Sequence, residues 1–270
     1  MTGTDPRRPK RVIMEVYQLV VLAAATAASA IISNGVAIGS GIFLLPVLSL
    51  AFPAKVALGL GAPLMFASSV VGVKNYWGEW GEWRELLRFS MAATVGIILG
   101  SCLINIIPNH LFKIGVGIFA ICFSLYQLLK GYAARLWFRP LQAASLSEIG
   151  NQGGKVLALV VGFLGGVVTV LCHAGGAVWS MYFVSRKLDK RCLVSTLLPL
   201  FAFSNLLKIF TYWGIGILSP QSTLIVLAMS PLVILSSNFG NYLNKKVRPE
   251  LFRNIVLLII LVAGISLIIF

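Results

Sequence analysis

The chain has 270 residues, of which 58% are hydrophobic and 11% charged, with a formal net charge of +14 and a mean hydropathy of +0.92. That balance excludes a water-soluble domain and predicts an all-α, multi-pass protein of the cell (inner or plasma) membrane with the lipid bilayer as its solvent. The basic excess does not imply a nucleic-acid partner, because Lys and Arg fall in short connections between apolar runs, where they set membrane orientation.

In chain order, the basic start "MTGTDPRRPKR" is not followed by a small-residue cleavage site, so an uncleaved first helix is expected. A long apolar stretch over 16–52 is interrupted at Ser33-Asn34-Gly35-Val36-Ala37-Ile38-Gly39-Ser40-Gly41 and then carries Pro46. Three uninterrupted spans are predicted over 56–73, 89–107 and 111–129. The segment "RLWFRPLQAASLSEIGNQGGK" is polar, with Pro and paired Gly, and reads as a linker. A second apolar stretch over 156–184 is interrupted at Thr169-Val170-Leu171-Cys172-His173-Ala174-Gly175-Gly176, and further spans are expected over 192–212, 223–239 and 252–270. The domain organisation is then a transmembrane repeat over 12–132, a linker over 133–154 and a second repeat over 155–270.

The repeat is visible in particular residues. Pro63 and Tyr76-Trp77-Gly78 recur as Pro199 and Tyr212-Trp213-Gly214 at an offset of about 136 residues. Gly41 and Lys55 pair with Gly176 and Lys190 at nearly the same offset, and "HLFK" from His110 returns as "ELFR" from Glu250. If the broken stretches cross the membrane, Lys and Arg divide almost evenly between its two sides. If they enter and return, the halves are inverted and the basic residues gather on one side, which the charge rule favours. The inverted solution leaves the basic N-terminal cluster on the opposite side as an exception. Inverted repeats whose interrupted helices meet near the midplane are a recurrent transporter architecture, because the free helix ends there offer N–H and C=O groups to a substrate.

Glycine lets the backbone leave helical geometry, and a helix beginning after Gly41 or Gly176 aims unpaired N–H groups and its positive dipole end at the break. An anion suits such a place, although small residues also serve close helix packing. Ser33, Asn34, Ser40 and Thr169 can donate hydrogen bonds to an oxyanion, or equally to a neighbouring helix carbonyl. His173 is the sharpest candidate, since its ring can hold a proton or donate to an oxyanion, so proton coupling enters the expectation; the alternative is a core histidine bonded to a helix carbonyl. Lys208 lies one helical turn before Tyr212 with Asn205 on the same face, and it either snorkels to the interface or presents a cation to a central cavity. The four cysteines show no metal or redox spacing and read as buried free thiols, with Cys172 alone joining the candidate site by position. All carboxylates fall at span ends, in loops or in the N-terminal tail, which disfavours a cation site or metal transport.

These features resemble the TauE/SafE family of membrane transporters, the sulfite exporters. The resemblance rests on Gly35, Gly39, Ser40, Gly41 and Pro46, on "GFLGGVVTVLCHAGGAVW" with the "KLDKR" after it, on "YWGIGIL", and on the closing "RPELFRNIVLLIILVAGISLI". It implies a two-repeat permease of roughly eight helices that moves sulfite or organic sulfur anions such as sulfoacetate, with no cofactor, and it implies Gly39, Gly41, Gly175 and Gly176 as backbone contacts for the substrate. The chain departs from the family's glycine runs at Ser40 and at His173-Ala174. Two rival readings are an intramembrane serine hydrolase using Ser40 and His173, and a noncatalytic membrane subunit.

Overall fold

In a computed structural model of the chain, the described residues are 15–36, 40–79, 83–136, 151–185, 190–246 and 249–269. They form ten α-helices and no strand: α1 (Val16–Val36), α2 (Ser40–Ser49), α3 (Ala54–Asn75), α4 (Trp83–Ile106), α5 (Asn109–Leu136), α6 (Asn151–Cys172), α7 (Gly175–Ser185), α8 (Lys190–Gly214), α9 (Pro220–Lys246) and α10 (Pro249–Ile269). Six helical segments among these are long and apolar enough to cross a membrane, and Ser40–Ser49, Val156–Cys172 and Asn254–Ile269 are shorter apolar helices. The N-terminal basic cluster, Gly39, Asp189 and the middle of the expected linker lie outside the described residues. At both of its ends the 133–154 segment is helical rather than irregular, since α5 runs on to Leu136 and α6 starts at Asn151.

The helices have identifiable boundaries. Pro53 precedes the first turn of α3, where its missing N–H costs nothing. Left-handed backbone at Gly78 (φ 81°) and Gly216 (φ 76°) turns the chain after α3 and α8, positions that favour glycine. Pro63 in α3 and Pro199 in α8 remove one ladder hydrogen bond each.

Packing sorts the residues as a bilayer requires. Large apolar side chains such as Met91, Val95, Leu99, Leu227, Leu235 and Val262 face outward, where lipid solvates them, and Trp77, Trp83 and Trp213 are exposed at helix ends, as in an interfacial aromatic belt. Small polar groups turn inward and bond to their own helices: Ser49 to Leu45 O, Ser69 to Met65 O and Ser101 to Ile97 O. Helix α1 packs on α9, α6 on α4, α5 on α10 and α3 on α8. The α4–α6 contact is close enough that a Cβ at Gly96 would collide with Phe163 O and one at Gly166 with Ala93 O. The cysteines do not sit as expected: Cys102 and Cys122 are exposed on the outer face and Cys172 and Cys192 are half-buried, all as free thiols. Thiols tolerate a lipid-facing position because they carry little polarity.

Candidate substrate site

Helix α6 ends at Cys172, and the chain turns at His173, whose φ of 55° is the left-handed conformation that a non-glycine residue adopts at some cost. His173 N–H still donates to Thr169 O at 3.0 Å, closing the last turn of α6, and α7 begins at Gly175. Against this turn lies the start of α2. A Cβ on Gly41 would fall on His173 O and within 2.8 Å of His173 Cβ, so only glycine permits this approach. Gly61 of α3 has the same role toward the ring, since its Cβ would lie 2.6 Å from His173 Nε2.

The ring itself is fully engaged. His173 Nε2 lies 3.0 Å from Leu58 O, and Nδ1 lies 2.7 Å from Lys208 Nζ. Since a carbonyl only accepts, the proton is on Nε2 and Nδ1 accepts from the lysine. Lys208 Nζ also donates to Thr169 Oγ1 at 3.4 Å. Lys208 is fully buried and does not snorkel. Lys74, on the equivalent span of the first half, is exposed. The described carboxylates stay at helix ends: Glu79 pairs with Arg191 (Nη2 to Oε1 2.7 Å), and Glu85 accepts from Tyr182 OH at 3.2 Å. Among the described residues no carboxylate makes a salt bridge to Lys208, and no cluster of ligands could hold a metal.

A small cavity opens beside this pair. The first turn of α2 lines it with Ser40, Gly41 and Ile42, and the start of α7 with Ala174, Gly176 and Ala177. Thr169 and His173 form one wall, Met65 of α3 another, and Phe201, Ser204 and Asn205 of α8 close it. It has room for on the order of one water molecule. The first turns of α2 and α7 therefore converge on one space, each bringing the positive end of its helix dipole, while Ala177 N–H turns back to Ala174 O at 3.0 Å.

Of the sequence-derived candidates, the fold brings Ser40, Gly41, Thr169, His173, Gly176 and Asn205 to the cavity, with Lys208 directly behind His173. Gly175 packs against Gly165 O and Thr169 Cβ, where a Cβ would come within 2.5 Å of each. Ser33 is buried away from the cavity, and Cys172 packs with the apolar cluster around Ile32 and Ile42. Asn34 bonds Ser68 Oγ at 3.0 Å and Ala30 O at 3.1 Å. Sequence reasoning did not single out Leu58, Gly61, Met65, Phe201 and Ser204. Two tyrosines bond the last turns of α1 and α6: Tyr76 OH donates to Asn34 O at 2.8 Å, and Tyr212 OH to Val170 O at 2.6 Å. Burial pushes the Tyr76 phenol up to about 12 against the opposing pull of the Arg191 guanidinium 5.0 Å from its ring.

The geometry offers no serine hydrolase. Both ring nitrogens of His173 are taken, by Leu58 O and Lys208 Nζ, leaving none to activate the Ser40 hydroxyl. A bundle of helices of which six segments are long and apolar enough to cross a bilayer defines a multi-pass membrane protein. The sequence model of the sulfite exporter TauE/SafE family matches residues 21–267, and the chain belongs to that family of membrane transporters. No curated protein and no solved structure matches it significantly.

Proposed function

We propose that the protein is a secondary transporter that exports small oxyanions, sulfite or sulfur-containing organic anions such as sulfoacetate, by alternating access around the two helix breaks. The observation that carries this reading is the buried Lys208 amine, which has no carboxylate partner among the described residues and lies beside the space where the α2 and α7 N-termini converge. A buried cation is stable only when paired, and an anionic substrate supplies the missing charge. The cavity is narrower than any such anion, which fits an occluded conformation that must open to load and release.

The two-repeat, re-entrant arrangement belongs to this proposal. It is supported by the contact of Asn205 Nδ2 with Ser69 Oγ at 3.4 Å, two residues 136 positions apart that correspond between the halves. The matching tyrosine bonds, Tyr76 to Asn34 O and Tyr212 to Val170 O, each span 42 residues and support it as well. So do the crossed pairings α1 on α9 and α6 on α4.

The test is flux of labelled sulfite, sulfoacetate and acetate in proteoliposomes under a pH gradient of either polarity, with the wild type and His173→Ala. Flux of one sulfur anion that disappears in the variant is expected. No flux of any anion from folded, inserted protein overturns the assignment.

A further inference from the structure

The Ser40 and Thr169 hydroxyls at the cavity can donate to an oxyanion, but one amide there is arranged to accept. Asn205 of α8 is 2% exposed and lines the cavity. Its Nδ2 donates to Ser69 Oγ at 3.4 Å. Ser69 has already committed its own hydroxyl proton to Met65 O at 2.7 Å, so Ser69 faces Asn205 as an acceptor only. That fixes the amide orientation, because the opposite flip would set two acceptors against each other. Asn205 Oδ1 is consequently left buried with no hydrogen-bond partner. Ser204 repeats the pattern one residue earlier: its hydroxyl donates to Phe201 O at 3.1 Å, which leaves lone pairs on the α8 wall.

We infer that the site selects a monoanionic oxyanion that still carries an O–H group, and that this hydroxyl donates to Asn205 Oδ1. The inference rests on the transport reading above and specifies its substrate class. The charge count agrees with it. With an anion bound, Lys208 can supply one positive charge, and His173, with one ring proton on Nε2, adds none, so one negative charge is neutralised and a second would stay unpaired. The opposite wall supplies what such an anion needs: the Thr169 hydroxyl, whose lone pair takes Lys208, and the positive dipole ends at the starts of α2 and α7. A site built to bond a substrate hydroxyl discriminates strongly against an analogue lacking it, because the buried partner is then left unsatisfied.

Methanesulfonate and hydrogen methylphosphonate test this directly. In mildly acidic buffer both are monoanions of nearly one shape, and only the second has an O–H. Each is used to inhibit labelled-sulfite flux in proteoliposomes. In the wild type, hydrogen methylphosphonate is expected to inhibit at least about tenfold more strongly. In Asn205→Leu, the ratio of the two inhibition constants is expected to fall to about one. Sulfite flux with equal inhibition by the two, or with none by either, overturns the inference and leaves the transport reading standing. The wild-type ratio decides the matter even if Asn205→Leu does not fold. Absence of sulfite flux in the wild type overturns the transport reading, and this inference with it.

Discussion

Replacing Lys208 by Met should make the protein more stable and less able to transport. The substitution keeps the length and most of the apolar stem of a side chain that is fully buried. It deletes two hydrogen bonds, at 2.7 Å to His173 Nδ1 and at 3.4 Å to Thr169 Oγ1. The second is long, and Thr169 can bond back to its own helix, so the loss is dominated by an unsatisfied Nδ1, about 1–3 kcal/mol. Against that stands removal of a buried lysine with no carboxylate partner among the described residues, whose withdrawal from water costs several kcal/mol, either as desolvation of the ammonium or as loss of its proton. The balance favours the variant by about 1–3 kcal/mol, and with roughly 2–4 °C per kcal/mol for a chain of this size, Tm should rise by about 2–12 °C. Thermal melts of the purified protein in detergent, without added anions, measure it, with proteoliposome flux measured on the same preparations. A Lys208→Met protein that melts below the wild type and still carries sulfite would refute the claim that the lysine waits for a substrate charge.

Gly41→Ala should destabilise by about 1–3 kcal/mol or abolish folding, because the added methyl meets the His173 carbonyl, whereas Gly115→Ala, which meets nothing within 4 Å, should be neutral or stabilise by up to about 1 kcal/mol. Melting curves of the two variants side by side check both signs. Tyr212→Phe and Tyr76→Phe should each cost about 1–2 kcal/mol through the loss of a buried hydroxyl on a helix-end carbonyl, and similar losses in the two would match their matching roles. Glu79→Gln should cost less than about 1 kcal/mol, because the Arg191–Glu79 pair is more than one-third exposed on both sides; a larger fall in Tm would mean that the α8 N-terminus depends on this contact.

The helices were legible because hydropathy and length determine them: the spans expected over 56–73 and 192–212 became α3 and α8 with ends displaced by two residues. The turn at His173 was legible from a titratable ring beside two glycines within an apolar run. A bond from the ring to a helix carbonyl was one of its two readings, but which carbonyl, and the lysine on the other nitrogen, were not legible. Leu58 O is a backbone atom with no signature of its own, and Lys208 reaches Nδ1 from 35 residues away across a helix pair. Gly61 gave a signal only in hindsight, as a glycine inside a span whose turn must admit an imidazole. The offset that relates Tyr76 to Tyr212 also relates Ser69 to Asn205, so following it through the spans could have found that contact. The cysteines went the other way, since an apolar run does not reveal which of its faces meets lipid.

The measurement that bears most directly on the central claim is equilibrium binding of labelled sulfite to the purified wild type, Lys208→Met and His173→Ala in detergent. Saturable binding by the wild type, lost or weakened at least about a hundredfold in Lys208→Met, is the predicted result, since a buried charge pair that loses one partner costs about 3–5 kcal/mol. Undiminished binding by a folded Lys208→Met protein would place the anion elsewhere and contradict the account.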